Sequence, residues 1–313
     1  MKIWLQEFLI CPQCLPEQNP LELFIQNQTG DDIISGQLIC PACTGLYEII
    51  DGVAVILPQA PKGAKTDDTG YNSRAMLSAY MWSHFGDLLN DSLATDAYQQ
   101  WTSVIKPSQG LALDIGCAVG RVSFELSTTH IRVIGVDSAH SFIRKARTLL
   151  GQKRQTFDLI IEGQITEKRT CDLPDHWHHE RIEFVVADAM ALPFRDQQFS
   201  TISAFNILEK VPDPCQHLRE VNRVLLEQDA LFAFSDPFSW DESISHPDLW
   251  IGGKHQGLLK GRGLDVMQRL FAGEADIFKP VLEIVNSGAV SWKIRKTENL
   301  WEHITSQFLI GQR

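Results

Sequence analysis

The segment Leu111-Ala-Leu-Asp-Ile-Gly-Cys-Ala-Val-Gly-Arg121 is an apolar run that ends in a turn of small residues. A second apolar run, Ile131-Arg-Val-Ile-Gly-Val-Asp137, ends in a carboxylate 21 positions after Gly116. Each run predicts a buried parallel strand, and the small turn allows a ligand to approach the backbone. A carboxylate at this spacing suits the two hydroxyls of a ribose. The pair therefore predicts a doubly wound α/β sheet with a nucleoside-binding crevice.

The turn after the first predicted strand indicates which nucleoside binds there. Gly116, Ala118 and Gly120 form G-x-A-x-G, whereas dinucleotide sites use G-x-G-x-x-G with the third glycine inside the helix. This difference disfavours a pyrophosphate cradle. S-adenosyl-L-methionine has no phosphate, and a helix that begins near Val119 would present its N-terminus to the methionine carboxylate. The turn thus favours S-adenosyl-L-methionine as the cofactor.

Two later segments continue the predicted sheet. A third strand begins at Ile182 and ends in Asp188, whose carboxylate can accept a hydrogen bond from the adenine amino group while the Ala189 N–H meets a ring nitrogen. A fourth strand is predicted at 199–205, and the loop that begins at Asn206 would border the methyl group. The strand ends therefore converge on one crevice.

These motifs, in this order, resemble those of class I S-adenosylmethionine-dependent methyltransferases. They are Asp114-Ile-Gly-Cys-Ala-Val-Gly120, Gly135-Val-Asp137, Ala187-Asp-Ala-Met-Ala-Leu-Pro-Phe194 and Leu208-Glu-Lys-Val-Pro-Asp-Pro214. The resemblance implies a Rossmann-like, seven-stranded, mostly parallel sheet, with a fifth strand at 231–235 and a late pair at 281–285 and 303–311. The cofactor-binding residues that we predict are Asp114, Gly116, Cys117, Ala118, Gly120, Asp137, Ser138, Asp188, Ala189 and Asn206.

Some of these residues also have a simpler structural interpretation. A strand that ends in Asp often uses it to cap a helix, and Asp114 can equally tie down the glycine turn. Cys117 in the turn is more typical of a space-filling residue than of a nucleophile. The cofactor interpretation depends on the ordered set, not on any one residue.

Four of the seven cysteines form two C-P-x-C knuckles, Cys11-Pro-Gln-Cys14 and Cys40-Pro-Ala-Cys43, separated by 25 residues. A pair of knuckles supplies the tetrahedral sulfur shell that zinc prefers. With four thiolates no position is open for water, so the predicted zinc is structural. Disulfides are the alternative, but three further cysteines are left unpaired and no secretion signal is evident, which fits a reducing compartment.

The sequence around the second knuckle resembles the small zinc-ribbon activator subunits of tRNA and release-factor methyltransferases. The resemblance implies a zinc-ribbon domain at 1–57, and the Pro- and Gly-rich segment at 58–70 is predicted as a linker to a methyltransferase domain at 71–313. A ribbon of this kind could also contact a partner protein. We therefore predict a structural zinc, two domains and a possible protein partner.

Composition limits the setting. The net charge of −11 disfavours a phosphate backbone as a partner, so nucleic acid is not the expected substrate. No apolar run approaches the ~20 residues needed to cross a membrane, and Gln6 and Glu7 interrupt the first apolar segment where a signal peptide would stay apolar. We expect a cytoplasmic protein without a membrane partner.

Two segments are candidates for the acceptor side of the site. Tyr71 and Tyr80 lie in a predicted helical segment that would cover the crevice, although aromatics at helical spacing are more often core. The insertion at 236–262 follows the predicted fifth strand, so its Phe238, Trp240 and Trp250 are expected to shape an acceptor pocket.

The insertion and the glycine turn together resemble the methyltransferase domain of the ovothiol-forming mercaptohistidine enzymes, over roughly residues 71–313. The matching elements are Gly116-Cys-Ala-Val-Gly-Arg121, Ser235-Asp-Pro-Phe-Ser-Trp240 and Trp250-Ile-Gly-Gly253. Those enzymes have iron-binding modules where this chain has the predicted ribbon, and Phe238 replaces an expected tyrosine. The resemblance implies a small polar acceptor, such as a thiol-imidazole or an amine.

The predicted reaction is displacement of the activated methyl group by an N, S or O nucleophile, for which positioning supplies most of the catalysis. The candidate catalytic residues are Asn206, Glu209 and His84. Glu209 could act as a base or could stabilise its loop. Two other functions stay open: methylation of an rRNA or tRNA base, and a non-catalytic role as partner of another methyltransferase.

Overall fold

The computed structural model describes residues 1–58 and 70–313. The strands are β1 (Glu22–Thr29), β2 (Asp32–Ile39), β3 (Leu46–Ile50), β4 (Val53–Ile56), β5 (Leu111–Ile115), β6 (Arg132–Asp137), β7 (Arg154–Glu162), β8 (Ile165–Asp172), β9 (Ile182–Ala187), β10 (Thr201–Phe205), β11 (Leu231–Asp236), β12 (Glu283–Arg295) and β13 (Trp301–Gln312). The α-helices are α1 (Arg74–Phe85), α2 (Ala97–Ser103), α3 (Arg121–Leu126), α4 (His140–Leu150), α5 (Pro214–Val224) and α6 (Gly263–Phe271). Except for its two ends, the predicted linker at 58–70 lies outside the described residues.

One mixed sheet of eleven strands runs through the protein in the order β1-β2-β3-β4-β9-β6-β5-β10-β11-β13-β12. The prediction of a seven-stranded sheet is therefore wrong in number. Strands β9, β6, β5, β10 and β11 pair in parallel, and β13 is antiparallel to β11 and β12. These seven strands match the predicted arrangement, and the four N-terminal strands extend it. The predicted division into two domains stays a prediction, because the sheet continues across it.

The N-terminal strands join the sheet because β9 would otherwise be an exposed apolar edge. All six residues of β9 are buried. Ala54, Val55 and Ile56 of β4 pair in parallel with Val185, Val186 and Ala187 of β9. An unpaired apolar edge strand would leave backbone groups and apolar side chains open to other chains, and the β4 ladder removes that exposure.

A charged network beside this junction fixes its register. Glu183 of β9 is 0% exposed, and its carboxylate accepts hydrogen bonds from the Arg147 guanidinium and the Lys2 backbone N–H. Arg147 also donates to both carboxylate oxygens of Asp32, at 2.7 and 2.8 Å. The Lys2 Nζ donates to the Ile182 carbonyl at 2.8 Å. A carboxylate this deeply buried requires such partners, so the network holds β9, α4 and the N-terminal strands in one arrangement.

The hydrophobic core also crosses the junction. Leu38 and Ile56 from the N-terminal strands belong to the same buried cluster as Val185 and Phe194. The Arg132 guanidinium lies over the Trp4 ring, and its Cζ is 4.8 Å from the ring centroid. Burial of shared apolar surface therefore supports the pairing of β4 with β9.

Two antiparallel hairpins lie outside the parallel strands β9, β6, β5, β10 and β11. In the insertion at 151–181, β7 and β8 form a separate antiparallel pair, and the Ile160 N–H donates to the Ser78 hydroxyl of α1 at 2.9 Å. Strands β12 and β13 are longer than the predicted pair because they pair with each other along most of their length. No helix in the described ranges is long and apolar enough to cross a membrane.

We predict that Arg147→Met lowers the free energy of unfolding by about 3 kcal/mol, because it leaves the buried Glu183 carboxylate without its guanidinium partner. Urea unfolding followed by circular dichroism measures this change. Arg154→Met is the matched control, since Arg154 forms a surface pair with Asp172 in which both side chains are more than 70% exposed; its cost should stay below about 1 kcal/mol. Equal costs for the two variants would contradict a structural role of the Glu183 network.

Candidate functional site

A cavity opens at the carboxyl ends of β5, β6, β9 and β10, where a doubly wound sheet binds its ligand. It is lined by nine of the ten predicted cofactor-binding residues, and Gly120 is the exception. The other lining residues that matter below are Tyr71, Tyr80, His84, Tyr98, Phe142, Phe205, Lys210 and Trp292. The structure therefore brings the predicted residues together, while their individual roles stay predictions.

The turn after β5 forms because its residues accept left-handed backbone angles. Gly116, Ala118 and Gly120 have φ of 72°, 46° and 91°. Gly120 begins α3 and has a packing function, since a Cβ at this position would meet the Phe184 ring at 2.5 Å. α3 itself starts at Arg121, two residues later than the predicted start near Val119. The turn is therefore compact enough for a ligand to lie over its backbone.

Asp137 at the end of β6 is held with its carboxylate towards this turn. One oxygen accepts from the Ala118 N–H at 3.0 Å and the other from the Ala139 N–H at 2.8 Å. Burial raises the pKa of Asp137 to about 6. Each carboxylate oxygen can accept a second hydrogen bond, so a ribose diol has acceptors available here.

The contacts of Asp114 are those of a structural residue. It is 2% exposed, and its two oxygens accept from the Ser123 hydroxyl at 2.7 Å and the Ser203 hydroxyl at 2.9 Å. Burial raises the pKa of Asp114 to about 6, although the two hydroxyls oppose that shift. Through these contacts Asp114 ties α3 and β10 to β5, which agrees with the alternative that it holds the glycine turn.

Asp188 closes the far side of the cavity. Its Oδ1 accepts from the Met190 N–H at 2.8 Å, and its carbonyl accepts from the Ala191 N–H at 3.1 Å. These bonds fold the chain into a tight turn directly after β9. The arrangement leaves one Asp188 carboxylate oxygen with no protein partner in the described residues and places Ala189 in the cavity wall.

An aromatic wall faces the three carboxylates. The His84 ring lies 4.2 Å from the Tyr98 ring and 5.8 Å from the Tyr80 ring, measured between centroids. Tyr71 packs edge-on against Tyr80. Burial, with a contribution from the nearby Arg121 charge, lowers the pKa of His84 well below its usual value, so this ring is neutral. Its Nδ1 is buried and has no hydrogen-bond partner in the described residues.

Arg121 attaches this wall to the glycine turn, and sequence analysis missed it. The side chain is fully buried and donates to both Asp87 oxygens at 2.7 and 2.8 Å, to Glu125 at 2.9 Å and to the His84 carbonyl at 2.6 Å. A bidentate guanidinium pair restricts geometry in two directions. Arg121 thereby fixes the end of α1 relative to the start of α3. Its place directly after the glycine turn was the available sequence signal.

Trp292 and Lys210 line the cavity and were also missed. Trp292 comes from β12, and its indole N–H donates to the Ser306 hydroxyl at 3.0 Å. That hydroxyl in turn donates to Asn206 Oδ1 at 2.6 Å. No local pattern connects 292 with 206; only the antiparallel pairing at the far side of the sheet brings them together.

The three candidate catalytic residues differ in position. His84 and Asn206 line the cavity, whereas Glu209 does not. Glu209 is 3% exposed, forms an ion pair with Lys210 at 2.7 Å and accepts from the Ser239 N–H. Its contacts are those expected of a residue that stabilises its loop.

The predicted acceptor residues fall into two groups. Tyr71 and Tyr80 line the cavity beside the cofactor residues. Phe238 and Trp240 instead line a second cavity between β11, β13 and α6, and Trp250 stacks on Trp240 with ring centroids 5.8 Å apart. The insertion therefore forms a neighbouring site and not the wall of the first cavity.

The four predicted zinc ligands lie together at the N-terminal end of the protein. The Sγ atoms of Cys11, Cys14, Cys40 and Cys43 are all within 4.8 Å of one another, and the closest pairs are 3.6 and 3.7 Å apart. A tetrahedron of sulfurs about 2.3 Å from a zinc ion has S–S edges of about 3.8 Å, whereas a disulfide is about 2.05 Å long. The cysteines are free thiols in a geometry that fits zinc.

The fold and these sites are those of a doubly wound α/β protein with a four-cysteine module. Comparison with known families agrees: residues 113–233 match the methyltransferase domain family, and residues 4–52 match the Trm112p-like protein family. The two matched segments are therefore similar to a methyltransferase domain and to a Trm112p-like protein. The fold of the methyltransferase domain implies S-adenosylmethionine dependence, and the acceptor is not determined by these matches.

Individual relatives are distant. The ubiquinone/menaquinone biosynthesis C-methyltransferase UbiE of Hahella chejuensis is 28% identical over 144 residues, which cover 44% of this chain and 50% of that protein. The O-methyltransferase resE of Aspergillus sclerotiorum is 26% identical over 207 residues, which cover 62% of this chain and 69% of that protein. The YcgJ protein of Bacillus subtilis has a TM-score of 0.45 and 15% identity, over 73% of this chain and 99% of that one. The chain thus spans about half the length of UbiE, and neither curated relative named here is a mercaptohistidine enzyme.

We predict that Cys40→Ser releases the metal and lowers the melting temperature of the whole chain in one transition, since the cysteine module shares its core with the sheet. Metal content by mass spectrometry and calorimetric melting measure the two effects. Cys215→Ser is the matched control, because Cys215 is a free thiol outside the four-cysteine cluster. Retention of one zinc per chain in Cys40→Ser would contradict the site.

A second prediction concerns pH. The ionised Asp137 carboxylate is predicted to accept ribose hydroxyls, and its pKa of about 6 means that it gains a proton as pH falls from 7 to 5. The affinity for S-adenosylhomocysteine should therefore fall about tenfold over this range. Calorimetric titration measures it, with melting scans at each pH to show that the protein stays folded. Asp137→Asn should bind weakly at both pH values; a pH dependence that survives in this variant would assign it to another group.

Proposed function

We propose that this protein is an S-adenosylmethionine-dependent methyltransferase that acts on a small polar acceptor and carries its zinc-ribbon activator in the same chain. The observation that carries the proposal is the convergence of the glycine turn, Asp137 and Asp188 on one cavity that is also lined by aromatic side chains. The carboxylates suit the polar edges of a nucleoside, and the aromatic wall suits a sulfonium and its methyl group.

Different residues of the first cavity would bind different parts of S-adenosylmethionine. Asp137 would accept the ribose hydroxyls, and Asp188 with the Ala189 N–H would meet the adenine edge. The compact turn at Gly116–Ala118 would lie under the methionine part, near the start of α3. When bound, the cofactor supplies a methyl group that is already activated by its sulfonium. What the protein adds is chiefly orientation of the acceptor.

His84 is our candidate for the group that takes the acceptor's proton. It lines the cavity as a neutral imidazole, and its Nδ1 is buried without a partner. Arg121 holds the backbone of His84 in place through its carbonyl. A neutral imidazole in this position can accept a proton from an amine, thiol or imidazole acceptor as the methyl is transferred. Asn206, fixed by the Ser306 hydroxyl, would orient that acceptor.

The acceptor is proposed to be small because the cavity is enclosed by side chains from both sides. Tyr71, Tyr80 and Tyr98 cover it from the helical segment, and Trp292 closes it from β12. The acidic net charge of −11 gives no support for a phosphate backbone. N, S and O acceptors all remain compatible with this site, including the thiol-imidazole compounds that the ovothiol resemblance implies.

The zinc ribbon is proposed to act on its own methyltransferase domain. Its strand β4 pairs with β9, and Asp188 directly follows β9. The first knuckle also supports the next turn, since the Ile10 N–H donates to the Pro193 carbonyl at 3.0 Å. Zinc held by the four cysteines would keep this knuckle folded, and the ribbon would thereby hold the adenine side of the cavity.

Calorimetric titration of the zinc-loaded protein with S-adenosylhomocysteine tests the proposal. We expect micromolar binding, and a loss of at least about a hundredfold in the double variant Asp137→Ala, Asp188→Ala, since both polar edges of the nucleoside lose their partners. Asp265→Ala, a carboxylate outside this cavity, is the control. Absence of binding by the unaltered protein would favour a non-catalytic partner.

Methyl transfer to a panel of thiols, amines and imidazoles then identifies the acceptor. With an acceptor that must lose a proton, His84→Gln should lower kcat by about a hundredfold while S-adenosylhomocysteine binding stays within about twofold. An unchanged kcat would remove His84 from the mechanism.

A further inference from the structure

The second cavity lies beside the first and has a different chemistry. Its lining includes Phe238 and Trp240 from the loop after β11, Lys254, His255 and Arg262 from the loop before α6, and Asp265. Asp265 is the single carboxylate in this lining. The protein as a whole carries a charge of −11, so three basic or potentially basic side chains around one cavity are a local exception.

The basic loop is unusual in sequence as well. Residues 249–264 contain Lys254, Lys260, Arg262 and His255 but no Asp or Glu. In the part of the chain that the structure describes, no ion pair satisfies Lys254, Arg262 or His255. Lys254 instead donates to the Asp248 carbonyl at 2.8 Å. Lys254 and Arg262 therefore carry positive charges that no ion pair in the described residues neutralises.

Backbone hydrogen bonds and close packing also hold this basic loop in a defined conformation. The Gly253 N–H donates to the Gly261 carbonyl at 2.8 Å, and the Gly261 N–H donates to the Lys254 carbonyl at 2.9 Å. Gly252 and Gly263 approach so closely that a Cβ on Gly252 would lie 2.5 Å from Gly263 Cα. These contacts fix Lys254 and Arg262 on the two arms of one closed loop.

Aromatic groups line the cavity opposite the cations. The Phe238 ring packs against the backbone of Gly263, where a Cβ would come within 2.2 Å of it. Trp240 stacks on Trp250, and its Nε1 is buried with no acceptor in the described residues. The cavity thus combines a flat apolar surface, an unused indole donor and cations, which suits an organic anion with an apolar or aromatic body.

The two cavities share a wall. Lys210 lines the first cavity and pairs with Glu209, and Glu209 accepts from the Ser239 N–H, between the two aromatic residues of the second cavity. The Asn206 N–H in the first cavity donates to the Ser235 carbonyl, at the end of β11 that leads into the second. The two cavities are therefore neighbours, linked through the Glu209–Lys210 loop and the segment that follows β11.

We propose that the second cavity binds the anionic group, a phosphate or a carboxylate, of the methyl acceptor. Arg262 and Lys254 would pair with the anion while Phe238 and Trp240 hold the adjoining part of the molecule. This inference rests on the proposed function, in that it calls the ligand an acceptor. The binding of the anion does not depend on methyl transfer and can be measured separately.

The test is a titration of the full-length, zinc-loaded protein, saturated with S-adenosylhomocysteine, with phenyl phosphate and with benzoate at constant ionic strength. The readout is the indole ¹H–¹⁵N resonance of Trp240, assigned by its loss in Trp240→Phe. We expect it to shift with at least one anion, and the stronger of the two shows whether phosphate or carboxylate is preferred. The Trp292 indole in the first cavity should not move, and benzylamine, a cation of similar shape, should cause no shift.

Arg262→Gln should weaken anion binding about tenfold. Lys260→Gln is the matched control: it removes the same charge from the same loop, but Lys260 does not line the cavity. It should change the affinity by less than about twofold. Both variants should retain S-adenosylhomocysteine binding and melting temperature.

Three results would overturn the inference: no shift with either anion, equal weakening by Arg262→Gln and Lys260→Gln, or a shift of Trp292 in place of Trp240. If S-adenosylhomocysteine binds and the anions do not, the second-site inference fails alone. If S-adenosylhomocysteine does not bind, but the anions still shift the Trp240 resonance in the protein without it, the proposed function fails alone.

Discussion

The pairing of β9 with two neighbours is the constraint on which the rest of this structure depends. β9 lies between β6 and β4, the last strand of the cysteine module. Asp188, which lines the cavity, directly follows β9. Its apolar residues exclude water on both faces, and Glu183 within it requires Arg147 and the Lys2 N–H as partners. Both requirements are met in full only when the N-terminal module is docked, since β4 and the Lys2 N–H come from that module, which links its folding to the geometry of the site.

A second set of buried charges organises the opposite side of the cavity. Arg121 connects the glycine turn to the end of α1 through Asp87 and the His84 carbonyl. Arg121 thus fixes the aromatic side of the cavity, while Arg147 holds β9, which leads to Asp188, through Glu183. Rigid walls of this kind favour a reaction in which the protein contributes orientation. A substrate held between them has few other orientations in which to lie.

The edge of the sheet carries two adjacent cavities with different electrostatic character. The first is bordered by Asp114, Asp137 and Asp188 and by neutral aromatic groups, and the second by Lys254 and Arg262. The wall between them contains the buried carboxyl groups of Glu209 and Asp236 and the more exposed Lys210. The proximity of Glu209 adds to burial in raising the pKa of Asp236 well above its usual value, so that this wall holds less negative charge than its composition suggests. A polar molecule that spans both cavities would meet a complementary surface at each end.

The sequence by itself predicted the strands of the parallel part of the sheet, many of the residues that line the first cavity and the four-cysteine cluster. Each depends on local patterns: apolar runs that end in Gly or Asp, and paired C-P-x-C knuckles. It did not determine the eleven-stranded sheet, the positions of Arg121 and Trp292, or the separation of Phe238 and Trp240 from the first cavity. Those features arise from contacts between residues far apart in the chain, such as β4 with β9 and Ser306 with Asn206. Only the tertiary structure decides them, since strand registry and the packing of a loop against a distant helix leave no periodic signal in the segments concerned.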